Sequence, residues 1–308
     1  MSIASEDKVT AALGGFGDVH PEVGRARPKH RVPERGSAGP KHRAVRPASR
    51  ENSPRRLLAH TTVLTARVLH RWVRDPATLV ESLIMPVVLL VTVNIVLGDG
   101  ISQLTGHSAL YGSVPLIAMV GAMSGAMIGG IGLMQERADG LLSRLWALPV
   151  HRASGLLSRL AAEAVRILAT TAVILCAGLA LGFRFRQGIL ESLAWLLIPT
   201  VWGVAFTMVV ITLALYAANT IVVEATEVIW GMLMFFSSGF VPVDQYPSWL
   251  QPVVRHQPMS YTIEVMRGLS VGGPVLTPMI ATLLWSLGIA AACATPMAIG
   301  YRRASQRS

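Results

Sequence analysis

From Pro76 onward the chain alternates long apolar windows with short polar or charged connections. About 20 apolar residues rising 1.5 Å each cross a hydrocarbon core of roughly 30 Å, so each window reads as a membrane-spanning helix. Six windows qualify, at about 76–97, 111–134, 160–182, 192–216, 221–240 and 276–300. The pattern therefore predicts an all-α integral membrane protein whose transmembrane domain occupies residues 76–301.

Residues 55–75 follow a different period. Leu57, Leu58, Thr61, Leu64, Val68, Leu69 and Trp72 share one helical face, and Arg56, His60, Arg67, Arg71 and Arg74 share the other. Such a basic amphipathic helix is predicted to lie at the membrane surface, its arginines near lipid phosphates. Asp75 and Pro76 then supply an N-cap and a first helical residue for the next helix. Residues 1–54 hold prolines among Arg, Lys, Ser and Gly and almost no large apolar side chains. They cannot bury enough surface to offset their ordering entropy and are predicted to be a disordered basic cytoplasmic tail. Residues 302–308 form a second short cytoplasmic tail.

Composition sharpens this picture. Only 14% of the 308 residues are charged and 52% are hydrophobic, against about a quarter charged in a soluble domain. A soluble enzyme is thereby excluded. The net charge is +10, and the first 56 residues hold 12 of the 27 Lys and Arg. Counted over the span connections, twelve arginines fall on the side of the two termini, while Arg184, Arg186, Arg255 and Arg267 fall on the other. The positive-inside rule then puts both termini in the cytoplasm of a plasma-membrane protein. Cys176 and Cys293 both sit in apolar runs, which excludes a disulfide framework and a cysteine zinc site. The histidines show no metal spacing. The three lysines, Lys8, Lys29 and Lys41, none of them after a glycine, leave no Walker A loop, so the chain carries no ATP site and is not itself an enzyme.

Four constellations remain as candidates for function. Gly121, Gly125 and Gly129 recur every fourth residue on the second span and predict a close helix-packing stripe. Residues 136–148 read as one amphipathic helix with Leu141, Leu142, Leu145 and Trp146 on one face and Glu136, Arg137, Gly140, Ser143 and Arg144 on the other, stopped by Pro149. Between the fifth and sixth spans, residues 241–274 contain Pro247 and Pro258, each able to open a short helix, and Tyr246, Trp249 and Tyr261 at expected headgroup depth. Finally, Glu81, Glu163, Arg166, Glu224 and Glu227 lie within or beside spans, where a charge is costly. Glu163 and Arg166 suit an internal ion pair, while proton coupling through Glu163, Glu224 or Glu227 defines the alternative function, a proton-coupled secondary transporter of lipophilic compounds.

With these parts in order, Leu57 to Ser305 resembles the type 2 ABC exporter permeases. The resemblance rests on E-R-x-x-G-L-L-x-R-L-x-x-L-P-V-H-R at Glu136–Arg152 and on F-V-P-x-x-x-x-P-x-W-L-x-P-x-x-x-x-x-P from Phe240 to Pro258. The segments ARVLHRWVRDP, NIVLG, RLWALPVHRASGL, GFRFRQG and IGYRRAS are similar to the mycobacterial branch of the daunorubicin/doxorubicin-resistance permeases. One departure is Arg159, where many members have lysine. The resemblance implies a permease subunit of an ATP-driven exporter in which two separate cytoplasmic ATPase subunits bind ATP and Mg. It places Glu136, Arg137, Gly140, Leu141 and Arg144 in a coupling helix that touches the ATPase, ended by Pro149 and Arg152. It places Pro242, Pro247, Trp249, Pro258 and Arg267 in an outer gate. It further implies a second six-span permease, identical or paralogous, contact with membrane lipids, no nucleic acid, and export of cell-envelope lipids of the phthiocerol dimycocerosate class and of drugs such as anthracyclines.

Overall fold

The computed structural model describes residues 54–306 except His107, residues 147–150 and Arg152. The expected tail at 1–53, residues 307–308, Pro149 and Arg152 thus lie outside the described residues, as do the side chains of Leu145, Trp146 and Glu227. Every regular element among the described residues is helical: α1 (Pro54–Arg74), α2 (Pro76–Leu79), α3 (Met85–Thr105), α4 (Leu110–Ala138), α5 (Leu141–Trp146), α6 (Ser154–Leu181), α7 (Ile189–Tyr216), α8 (Ile221–Phe235), α9 (Gln251–His256), α10 (Pro258–Val271) and α11 (Leu276–Gln306).

Asp75 separates α1 from α2. Its backbone is extended, and its carboxylate accepts the Ala77 N–H at 3.2 Å and the Thr78 hydroxyl at 2.5 Å. The Thr78 hydroxyl is the main reason the Asp75 carboxyl is held below its ordinary range. Between α2 and α3, residues Val80–Ile84 form a π-helical turn. Pro86 accounts for it: lacking an N–H, it cannot bond to the Ser82 carbonyl, and the ladder slips by one residue so that Met85 N–H reaches Val80 O. α2, the π turn and α3 thus make one apolar rod over Pro76–Gln103.

Among the described residues five helices are long and apolar enough to cross a membrane: that rod, α4, α6, α7 and α11. The sixth expected window, 221–240, behaves differently. α8 stops at Phe235 after 15 residues, about 22 Å at 1.5 Å per residue, and residues 236–242 are turns and bends instead of helix. α11 runs past its expected end near residue 300 and takes in Arg302 and Arg303.

α4 is the centre of the bundle. It packs against α3, α5, α6, α7, α8 and α10, and Val114, Leu116, Ile117, Ala118, Met119, Ala122 and Ala126 have no exposed surface. Its Gly, Ala, Ser and Met content explains this position, because small side chains let neighbouring backbones approach from every direction. α3 and α11 instead expose Met85, Val88, Ile95, Leu284 and Leu287, side chains suited to a lipid solvent. α6 ends in a Schellman turn: Gly182, at φ +110°, donates to Leu179 O, and Phe183 N–H reaches Gly178 O at 2.9 Å.

Candidate functional site

At one end of the bundle α4 runs out through Glu136 and Arg137. The helix expected over 136–148 is divided here: α4 stops at Ala138, Gly140 takes the left-handed conformation at φ +67°, and α5 starts at Leu141. A side chain at 140 would be strained in that conformation, so glycine sets the corner. The break separates the charged pair from the rest of the motif. Glu136 and Arg137 belong to α4, whereas Leu141 and Arg144 belong to α5.

Glu136 faces inward to a three-helix junction. One carboxylate oxygen accepts Arg71 Nη1 of α1 at 3.2 Å, and the other pairs with Arg159 Nη2 of α6. The Glu136 and Arg159 side chains are 19% and 16% exposed, while Arg71 is 71% exposed. Arg137 turns the other way. Its Nη1 donates to the carbonyls of Ala214, Leu215 and Ala217 at 3.4, 2.9 and 3.1 Å, which satisfies the last carbonyls of α7 with a positive charge. On α5, Leu142 is buried and Arg144 is exposed. Of the motif's charged side chains that are described, Asp139 at the corner and Arg144 on α5 are exposed, and Arg144 is the cation among them that can meet another protein.

α1 is fastened along the same end. His151 N–H donates to His60 Nδ1 at 3.2 Å, Thr65 hydroxyl donates to Ser158 O at 3.3 Å, and Trp72 Nε1 donates to Ser82 Oγ at 3.2 Å. Leu57, Thr61, Leu64, Leu69 and Trp72 are half-buried, with α6 as the main neighbour, and Leu58, Val63 and Val73 stay exposed. Tyr301 of α11 is buried at this end, and a Cβ added at Gly155 of α6 would run into its hydroxyl.

Midway along α4 the three glycines of the stripe have three different neighbours. A Cβ at Gly121 would lie 2.8 Å from Thr170 Cγ2 and 3.0 Å from Ile174 Cδ1 of α6. One at Gly125 would overlap the guanidinium of Arg166. One at Gly129 would meet only Glu163 Oε2, at 3.9 Å. Arg166 and Glu163 form a buried ion pair, their side chains 8% and 9% exposed, and the absent side chain at 125 is the space the guanidinium fills.

The opposite end answers why α8 can stop short. An abrupt helix end leaves carbonyls without partners, a serious cost in an apolar layer. Here four successive carbonyls are taken up by side chains from the following segment. Tyr246 hydroxyl donates to Phe235 O and Ser237 O, both at 3.1 Å, Gln257 Nε2 donates to Phe236 O, and Arg267 Nη2 donates to Ser238 O at 2.9 Å. Ser260 Oγ completes the set by accepting Ser238 N–H at 3.2 Å. Burial of Tyr246 raises its pKa and keeps it a donor. Pro258 opens α10; Pro242 precedes a short 3-10 turn, and Pro247 starts a turn rather than a helix, with Pro252 in the first turn of α9 instead. Trp249 is 75% exposed. Of the expected gate residues, Arg267 is thus an interior donor and Trp249 a surface side chain.

Glu136's two arginines and Gln257 are residues that sequence reading did not single out in these contacts. Arg71 is 65 residues from Glu136 and Arg159 is 23 away, separations that no local period encodes. Glu224 is exposed on α8.

The profile of the ABC-2 type transporter family matches residues 59–270, from the surface of α1 to the end of α10. The chain is 51% identical over 255 residues, 83% of its length, to the "Probable doxorubicin resistance ABC transporter permease protein DrrC" of Mycobacterium tuberculosis, of which the match covers 92%. A more distant relative is the "Daunorubicin resistance ABC transporter permease protein DrrB1" of Streptomyces coeruleorubidus, 24% identical across 70% of this chain and 78% of that protein. The helix-only architecture of the described residues, apolar rods around a glycine-rich central helix and these matches lead to one assignment: the chain belongs to the ABC-2 type transporter family.

Proposed function

We propose that the chain is the membrane-spanning permease subunit of an ATP-driven exporter of amphipathic and apolar compounds. The observation that carries this reading is its 51% identity, over most of both chains, to a permease named for doxorubicin resistance. Anthracycline drugs are the substrate class that follows, and long envelope lipids of the phthiocerol dimycocerosate kind are a second class of similar apolar character. ATP and Mg belong to two partner ATPase subunits, and a second permease, identical or paralogous, completes the pathway.

In this reading α8 with its turn is the sixth membrane segment, α1 lies at the inner surface, and both termini are cytoplasmic. Residues 140–152, with Leu141 half-buried and Arg144 exposed on α5, are the ATPase-docking element. Residues 241–274 close the outer end, where a substrate leaves. ATP binding draws the ATPase subunits together, and contacts that differ between the inward-open and outward-open states convert that motion into transport.

The proton-coupled alternative loses support because Glu163 is committed to Arg166 and Glu224 is exposed. Inside-out vesicles containing the complex decide between them. With the proton gradient collapsed and ATP supplied, doxorubicin should accumulate and a tag on this chain should recover an ATPase subunit. Accumulation that needs the gradient and ignores ATP overturns the proposal.

A further inference from the structure

Glu136 sits where three helices from distant parts of the chain meet, and its neighbour Arg137 reaches a fourth. Through Arg71 and Arg159, Glu136 ties the end of α4 to α1 and α6; through three carbonyls, Arg137 ties it to α7. Two residues later the chain turns at Gly140 into α5. Besides its own packing on α11, α5 is therefore linked to α1, α4, α6 and α7 through one short stretch of backbone.

The charges around Glu136 are unequal in a telling way. Two arginines surround one carboxylate, so the pair with mostly buried Arg159 is satisfied even when exposed Arg71 lets go. A charged link with one fixed arm and one solvent-exposed arm can break and re-form cheaply on the exposed side, since water screens an exposed ion pair and solvates its freed partner.

We propose that Glu136 is a positioning residue of the transport cycle: a node that passes the ATPase stroke from α5 to α1 and α6, not a contact with the ATPase itself. This rests on the permease reading above and deepens it, since it moves the docking contact from residues 136–137 to the exposed side of α5. Breaking the node should leave the chain folded and bound to its ATPase, yet uncouple hydrolysis from movement.

The test compares wild type, E136Q, E136D and R71Q in inside-out vesicles at equal complex levels, reading doxorubicin accumulated per ATP hydrolysed and the amount of ATPase recovered with the tagged permease. E136Q keeps the shape and removes the charge. It should lower the drug-to-ATP ratio at least about fivefold, the lower edge of ordinary coupling strengths, with ATPase recovery unchanged. E136D, which keeps the charge on a shorter stem, should restore most of the ratio. R71Q, an exposed change on a surface helix, should lower the ratio without loss of complex, and it decides the matter if E136Q fails to accumulate. An unchanged ratio in E136Q or R71Q overturns the node, as does a loss of ATPase recovery in E136Q that accounts for the whole loss of transport. A wild-type complex that recovers no ATPase, or hydrolyses ATP without moving doxorubicin, instead overturns the proposed function and the node with it.

Discussion

Replacing Gly125 with alanine adds one methyl group at the place where the Arg166 guanidinium lies. The arginine must move, and with both partners at least nine-tenths buried there is no water nearby to receive it. Glu163 is then left as a buried charge without its partner, a situation that costs about 3–5 kcal/mol. Alanine returns up to about 1 kcal/mol through its better helix propensity. The net loss is about 2–4 kcal/mol, which corresponds to roughly 5–15 °C in melting temperature for a domain of this size. Two controls share the same helix: a Cβ at Gly132 meets nothing within 4 Å, and one at Gly129 meets Glu163 Oε2 at an ordinary 3.9 Å. Thermal unfolding of the detergent-purified chain, followed by tryptophan fluorescence, should show G125A well below wild type and both controls at or slightly above it. Replacing the pair itself, as E163Q with R166M, should remove most of the penalty, because a neutral side chain leaves no charge to strand. If G125A melts with G132A, the guanidinium does not occupy that space and the account of this stripe fails.

Arg137 and Arg144 should part company: R137A removes the donor from three carbonyls at the end of α7 and should cost about 2–3 kcal/mol of stability, whereas R144E should leave the melting temperature unchanged and reduce ATPase recovery. At the opposite end, Q257A should destabilise more than Y246F, because Gln257 is buried and water cannot replace its bonds to Phe236 O and Ser260, whereas half-buried Tyr246 leaves its two carbonyls nearer solvent; parallel melts of the two variants check the order. Reporter fusions should place Ser308 in the cytoplasm and Gly188 and Ser270–Gly273 outside, and a cytoplasmic Gly188 would remove α6 as a span.

Much of the bundle could be read from the chain because apolar length and one-residue signals act locally. Asp75–Pro76 specifies a helix start whatever surrounds it, and five of the six apolar windows become long helices with ends within several residues of those expected. The 221–240 window shows where that logic stops. Its apolar run after Glu227 breaks only at residues 237–239, and the helix can end at Phe235 because Tyr246, Gln257 and Arg267 supply distant donors for the freed carbonyls. Residues 136–148 fail for a different reason. Amphipathic spacing runs on across Gly140 without a gap, yet the left-handed corner there cuts the helix in two. The Gly121, Gly125 and Gly129 repeat is visible in sequence as small residues, while the arginine lodged at its centre is set by the register between α4 and α6.

The claim on which the rest depends is that the exposed side of α5 is where a separate ATPase docks. A photo-reactive amino acid at Arg144, with a second at exposed Ser248 as control, tests it in intact membranes. The account predicts that light joins the Arg144 variant to the ATPase subunit and that the Ser248 variant gives no such adduct. An intact, co-purifying complex in which position 144 never cross-links to the ATPase would contradict it.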